Sequence, residues 1–408
     1  MKVVHIAVSD GGGAGMGMMN QHHALLALGV DSRVVVARKT SSDPTVAEMR
    51  PNRNLWGSNR VAGFAQKALR RAGITFNDYD RWHHRIYKSR LRQSVQFSQP
   101  YSQYDVLRHP LVADADIVNL HYVSEFVDLP SFFAGVGKPV VWTMRDENPG
   151  LGGFHYQSIK QQYYQAFATI EDAFIGVKRA AIGSCRDLHL VSLSDEMRQF
   201  CQAVDFLSDK PNAKIYNAIS PDDYQPVGKA EARRQLGLAA DDVVLAFVSC
   251  NLGEERKGFQ LVREAIRLLA DERIKLLCVG RCDMQIDEAN VITLGTVTDR
   301  KKLSAVYSAA DAFVNASEQE SFGKTVVEAL YCGTPVVSTP TGIAPEIVDP
   351  SNGCLCGGRT PQAIATAIAE VLGSTHDAAA IRRKAVGQFA PEVVANQYID
   401  LYNSIIRR

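Results

Sequence analysis

The chain of 408 residues is short of several things, and each shortage excludes a class of protein. No stretch approaches the run of about 18 apolar residues that a membrane-spanning helix needs. The N-terminus, "MKVVHIAVSDGGG", passes from a strand-like run straight into glycines. It lacks the apolar core and cleavage site of a secretory leader, so a cytoplasmic protein is expected. An excess of one charge is missing too: 45 Lys and Arg against 44 Asp and Glu leave a net charge of +1. That balance argues against a global footprint for nucleic acid and leaves only local patches. Of eight cysteines, Cys185, Cys201, Cys250, Cys278, Cys282 and Cys332 lie in or beside apolar stretches and read as reduced thiols. Cys354 and Cys356 form a C-x-C with no second pair or histidine at zinc spacing, so no metal is expected. Internal repeats and low-complexity tracts are absent as well.

What is present is ordinary globular composition, 46% hydrophobic and 22% charged, in a chain long enough for two domains of roughly 200 residues. Short apolar runs alternate with helical periodicity: "KVVHIAVS" (2–9), a helix from Met16 to Leu28, "SRVVVA" (32–37), "ADIVNLHYV" (115–123), "KPVVWTM" (138–144) and "LHLVSLS" (188–194). Continuous apolar strands separated by helices predict a parallel sheet covered on both faces. The rhythm pauses at "IYNAISPDDYQPVG" (215–228), read as a linker, and restarts with "DVVLAFVSC" (242–250), "IKLLCVG" (274–280), "NVITLG" (290–295), "DAFVNAS" (311–317) and "PVVSTP" (335–340). The expected domains are therefore 1–217, joined by an amphipathic C-terminal helix at 391–408, and 229–390. Residues 40–114 break the pattern with aromatics and a basic cluster: Lys67, Arg70, Arg71, Arg81, Arg85, Lys88, Arg90 and Arg92, against Asp78 and Asp80. That cluster reads either as a solvated helical face or, over 67–92, as a peripheral contact with an anionic membrane surface.

Candidate chemistry concentrates in "EQESFGKTVVEALYCGTPVV" (318–337), where Glu320 and Glu328 stand eight positions apart. The spacing decides nothing by itself, because Glu264 and Glu272 share it on a plain amphipathic helix and are expected in solvent. Context is what differs. A strand precedes Glu320, a Phe-Gly turn follows it, and a helix running through "KTVVEALY" carries Glu328 in its second turn. The free amides of Phe322, Gly323 and Lys324 at that helix start favour anionic or hydroxyl-rich ligands, at the carboxyl end of a strand where open α/β sheets bind them.

This stretch, continuing through "STPTGIAPEIV", resembles the E-x7-E signature of retaining glycosyltransferases of family four, which have the GT-B fold. Other matches are "SDGGGAGM" (9–16), "VWTMRDENPGLGGFHY" (141–156), "ERKGFQLV" (255–262) and "LGTVTDRKKLSAVYSAADAFVNAS" (294–317); residues 40–114 match poorly. The resemblance implies two Rossmann-like parallel-sheet domains facing a deep cleft, with the C-terminal helix crossing back to the N-terminal domain. It implies transfer of a sugar from a nucleotide diphosphate donor, a UDP- or GDP-sugar, with retention and without a metal or other cofactor. Lys257, with Arg256, would neutralise the diphosphate. Glu320 would hold the donor sugar's hydroxyls and Glu328 the ribose, with donor contacts from Ser321, Phe322, Gly323 and Lys324 and main chain near Val297 at the base. Gly12 and Gly13 would approach the diphosphate.

Each assignment has a plainer counterpart. Lys257 also suits a solvated helix start, and Gly-rich turns occur in dinucleotide folds, although no acidic residue ends strand two here. His121 and His155 are acceptor-side candidates or interior histidines. Asp114 and Asp116 spell D-x-D, but Asp116 opens an apolar strand. Arg145-Asp146 stands where the family commonly has His-Asp, and arginine cannot act as a base. It suits an acidic sugar or the departing phosphate, or marks weakened catalysis. Leu252 occupies the place of a common family arginine, five residues before Lys257. The resulting expectation is a glycosyltransferase acting on a glycan or lipid-diphosphate-linked acceptor in cell-surface polysaccharide assembly. A non-catalytic sugar-nucleotide-binding relative or partner subunit, and a sugar-nucleotide epimerase, are the alternatives.

Overall fold

The computed structural model describes residues 1–51, 78–88 and 95–407. Two parallel sheets organise them. The first contains β1 (Lys2–Ser9), β2 (Asp31–Arg38), β3 (Val46–Glu48), β4 (Ile117–Leu120), β5 (Val140–Met144), β6 (Leu188–Ser192) and β7 (Asn212–Lys214), in the order β3-β2-β1-β4-β5-β6-β7. The second contains β8 (Val243–Asn251), β9 (Ile274–Arg281), β10 (Val291–Thr293), β11 (Ala312–Asn315), β12 (Val336–Ser338) and β13 (Gly353–Leu355), in the order β10-β9-β8-β11-β12-β13. Every residue of β4, β5, β6 and β11 is buried, the signature of strands with helices on both faces. In each sheet the strand order reverses once, between β1 and β4 and between β8 and β11. Those are the switch points where loops leave the carboxyl ends in diverging directions and make room for a ligand.

By contact clustering, the chain divides into two units. The first is Met1–Leu193, Met197–Ile215 and Ala395–Arg408, and the second is Ser194–Glu196 and Tyr216–Val394. The last helix, Pro391–Ile406, starts in the second unit and belongs to the first from Ala395 on. Its tyrosines enter the first unit's interior. Tyr402 accepts hydrogen bonds on its hydroxyl from Asn119 Nδ2 at 2.6 Å and Gln21 Nε2 at 3.1 Å, and Tyr398 meets Thr143 Oγ1 at 3.2 Å.

Two features differ from the sequence expectation. The segment 215–228 is packed structure: Ile219 and Tyr224 are buried, Ile219 O accepts from the Tyr331 hydroxyl at 2.9 Å, and Arg382 donates to Tyr224 O at 2.6 Å. Its prolines and polar residues shape turns on the surface of the second unit, while its few apolar ones enter the core. β3, β7 and β13 were not expected. Each is three residues long and lies at a sheet edge, too short to carry a period.

In the basic region, the helix Asp78–Lys88 turns Ile86 and Trp82 inward, with Trp82 edge-on to Phe174 at 5.0 Å. Arg81 and Arg85 lie exposed over the Trp82 ring. Trp82 and Ile86 on this helix thus pack toward the interior. Lys67, Arg70, Arg71, Arg90 and Arg92 lie outside the described residues, as does the side chain of Lys88. No described helix is long and apolar enough to cross a membrane.

Candidate functional site

In the second unit, the loops after β8 and β11 meet at the switch point. The β8 loop ends in a 3-10 turn, Glu255–Lys257, and Gly258 then takes φ +75° before the helix Phe259–Leu269. A Cβ at Gly258 would lie 2.3 Å from Ala316 O, at the end of β11, so only glycine lets these two loops touch. That contact delivers Lys257 Nζ to Glu320 Oε1 in a direct ion pair. Glu320 Oε1 also accepts from Ser317 Oγ at 2.8 Å, and Glu320 N donates to Thr341 Oγ1 at 3.0 Å. Burial pushes the Glu320 carboxyl up, but the charges of Lys257 and Arg256 outweigh it, so its pKa lies below the ordinary value. Lysine and carboxylate thus form a half-buried charged pair at strand ends, with charge-assisted hydrogen-bonding capacity of both signs.

The other residues expected here divide into ligand-facing groups and braces. Gly323 takes φ +90° and starts the helix Lys324–Tyr331, leaving its first amides without helical partners. Phe322 is buried with its ring 6.0 Å from Phe389 and 6.3 Å from Tyr216, so only its main chain is available. Arg256 is an internal brace as much as a ligand group, donating to Gln319 O at 2.5 Å and Glu254 Oε1 at 2.6 Å. Val297 lies half-buried in the loop after β10. Glu328 is a different matter. It is 4% exposed, accepts from the Tyr224 and Tyr307 hydroxyls at 2.7 Å each, and pairs with Lys324 at 3.1 Å. Burial, then the Glu328 charge, raises the pKa of both tyrosines, so both stay donors. Glu264 and Glu272 are exposed.

Sequence reasoning missed three supports. Arg359 donates to Ala316 O at 3.1 Å and Glu255 O at 2.8 Å, fastening both loops from a distant helix start. Glu196 accepts from Gly342 N at 2.5 Å and Thr341 Oγ1 at 3.2 Å, so it holds the hydroxyl that holds Glu320 N. Glu346 accepts from Asp195 N at 2.7 Å and the Tyr216 hydroxyl at 2.8 Å. Glu346 stood in the quoted G-x-x-P-E pattern, but Glu196 and Arg359 carried no local signal.

In the first unit, Asp10 at the end of β1 accepts from Thr40 N and Oγ1, both at 2.7 Å, and from Ser41 N at 2.9 Å. Gly12 and Gly13 follow, exposed, at the start of the helix Gly12–Ala27, with nothing near where a Cβ would stand. Their place is a helix N-terminus open to solvent.

The histidines offered as acceptor-side candidates are interior groups, and both ring nitrogens of each are occupied. His121 meets His5 at 2.9 Å on one side and Arg145 Nε at 3.2 Å on the other. His155 meets Asp146 Oδ2 at 2.5 Å and Ser98 Oγ at 2.8 Å. Burial holds His5 and His121 well below the ordinary histidine pKa, so both are neutral near pH 7. Arg145 is 7% exposed, and burial lowers it to about 10, so it remains a cation. Asp146 accepts from Asn148 N at 3.1 Å besides His155, which makes it a loop anchor. The long helix Gln157–Ser184 clamps that loop: buried Glu171 accepts from Gly152 N at 2.8 Å and Gly153 N at 2.6 Å, and buried Lys178 donates to Leu151 O at 2.8 Å. Asp114 and Asp116 pair with Lys2 at the amino end of the central strand β1 and form no ligand pair.

Residues 242–374, within the second unit, match the family of glycosyl transferases group 1. A D-inositol 3-phosphate glycosyltransferase of Catenulispora acidiphila is 31% identical over 211 residues, 46% of this chain and 49% of that protein. An N-acetyl-alpha-D-glucosaminyl L-malate synthase of Bacillus anthracis is 27% identical over 218 residues, 48% and 56% of the two chains. The chain spans about half the length of such curated relatives. Among solved structures, Anabaena HepE in complex with UDP and glucose superposes with TM-score 0.63 at 18% identity, over 99% of this chain and 100% of that one. The lipopolysaccharide glycosyltransferase WaaG gives TM-score 0.59 at 18% identity, over 99% and 97%. These likenesses fix the fold as GT-B.

Proposed function

We propose that this chain, which carries a glycosyl transferases group 1 domain in the GT-B fold, transfers a sugar from a nucleotide diphosphate donor to a glycan or lipid-linked acceptor in cell-surface polysaccharide assembly. The observation that carries the reading is the Lys257–Glu320 pair at the β8/β11 switch point, beside the free amides that follow Gly323. Lys257 stabilises the diphosphate as the glycosidic bond breaks, and Glu320 holds the sugar's hydroxyls. A UDP- or GDP-sugar is the donor, in line with the UDP and glucose bound by HepE.

Retention of configuration follows from attack on the face the diphosphate leaves, with lysine and amides providing the positive field in place of a metal or other cofactor. Glu328 is engaged by two tyrosine hydroxyls, which keeps it from serving as a second attacking carboxylate in this reading. Glu328 then acts through the tyrosines, setting the floor of the nucleotide site, with Val297 at the base. Arg145 adds a buried cation in the first unit, suited to an acidic sugar or a phosphate. Cytoplasmic placement at the inner face of the membrane suits a lipid-linked acceptor.

The test is a transfer and donor-hydrolysis assay on wild type and Glu320→Gln. Loss of turnover in the variant with nucleotide binding retained supports the reading. Equal turnover in both, or none in wild type with any donor, overturns it.

A further inference from the structure

Away from the donor site, the first unit gathers three metal-ligating side chains at one point. His22 and His23 are consecutive on the helix Gly12–Ala27, and Asp43 lies in the loop between β2 and β3. One ligand atom from each lies within 4.8 Å of the other two. We propose that His22, His23 and Asp43 bind a divalent transition-metal ion of the Zn²⁺ class, a site independent of the sugar-transfer reading.

Two imidazoles and one carboxylate are a donor set that suits such ions and leaves a coordination position for water. The outer contacts are those a ligand set needs. His22 is buried and its Nδ1 meets Ser32 Oγ at 2.7 Å. Thr45 Oγ1, 2.7 Å from His22 Nε2, donates to Asp43 Oδ1 and so accepts from Nε2–H; an ion takes the place of that proton, and Ser32 Oγ accepts from Nδ1–H in the metal-bound tautomer. Asp43 accepts from Thr45 N at 2.8 Å on Oδ1, so its Oδ2 is the free arm, 2.6 Å from His23 Nε2.

Tetrahedral bonds near 2.0–2.1 Å place ligand atoms roughly 3.3 Å apart. Closing onto an ion therefore asks for movements on the order of 1 Å, chiefly by His23, whose side chain is 54% exposed. Nearby Lys39 directs its ammonium to the carbonyls of Asp43 and Val46, at 2.5 and 2.9 Å, and adds no ligand.

An ion here ties the loop after β2 to the first helix. Thr40 and Ser41 on that same loop hold Asp10, the residue before the glycines. Metal occupancy would therefore stiffen the glycine loop from behind.

The experiment is thermal unfolding of the untagged full chain with Zn²⁺, Co²⁺ or Mg²⁺, alongside the visible spectrum of the Co²⁺ form, for wild type and His23→Ala. His23 is exposed, so its loss leaves the fold intact. A rise of about 5 °C at roughly 100-fold excess over the dissociation constant is expected with Zn²⁺ and Co²⁺. Mg²⁺, which prefers oxygen ligands, has no effect. The rise and the tetrahedral Co²⁺ bands vanish in His23→Ala. No rise in wild type, or an equal rise in the variant, overturns the site.

Discussion

Both units end their central strands in glycine-bearing loops at a switch point, yet they fill the space behind those loops differently. In the second unit a charged pair, Lys257 and Glu320, stands at the loop tips, held by Ser317, Thr341 and Arg359. In the first unit the corresponding volume is closed from behind by neutral His5 and His121 in series with the buried Arg145 cation, and by Tyr398 and Tyr402 from the last helix. The second unit holds a half-buried ion pair at its loop tips, while the first buries its histidines and Arg145 behind its loops. One sheet plan thus supports a charged loop cluster in one unit and a buried polar chain in the other.

The comparison breaks most readily at Glu320. Glu320→Gln removes a charge made for the donor and should lower turnover about 100-fold, equivalent to about 3 kcal/mol of barrier, measured as initial rate at saturating donor. Stability of the first unit should not change.

Next in size is Gly258→Ala. Its Cβ would collide with Ala316 O and must adopt φ +75°, so it should cost about 2–4 kcal/mol of stability, read by urea unfolding. Gly13→Ala, with open space at its Cβ, should cost less than about 1 kcal/mol.

Tyr402→Phe leaves Asn119 Nδ2 and Gln21 Nε2 without their acceptor and should cost about 1–3 kcal/mol, seen as a lower urea midpoint.

A further effect is on pH. His5 and His121 are held below their unfolded pKa of 6.5, so below that value the unfolded chain binds more protons than the folded one. Stability should therefore fall as pH drops below about 6.5, by up to about 1.4 kcal/mol per pH unit for each histidine. Thermal midpoints from pH 7 to 5 check this, and a midpoint that rises on acidification contradicts it.

The ten strands that carry apolar runs could be read from the sequence because burial on both faces demands continuous apolar residues, as in "VVWTM" and "AFVN". Site geometry was legible where chemistry and chain are local: Gly258 follows Lys257, and Gly323 opens the helix after Glu320. It failed where a partner is remote in sequence. Nothing near Glu328 announces that Tyr224, 104 residues away, will claim its carboxylate. His121 likewise meets His5 across 116 residues. Arg359 and Glu196 were silent for the same reason.

The account rests on Lys257 as the diphosphate's partner. Isothermal titration of UDP-, GDP- and ADP-sugars into wild type and Lys257→Ala tests it most directly. Wild type should bind at least one of them, and the variant should bind that donor at least about 10-fold more weakly. Equal affinity in both proteins, or no binding of any donor by wild type, would contradict the account.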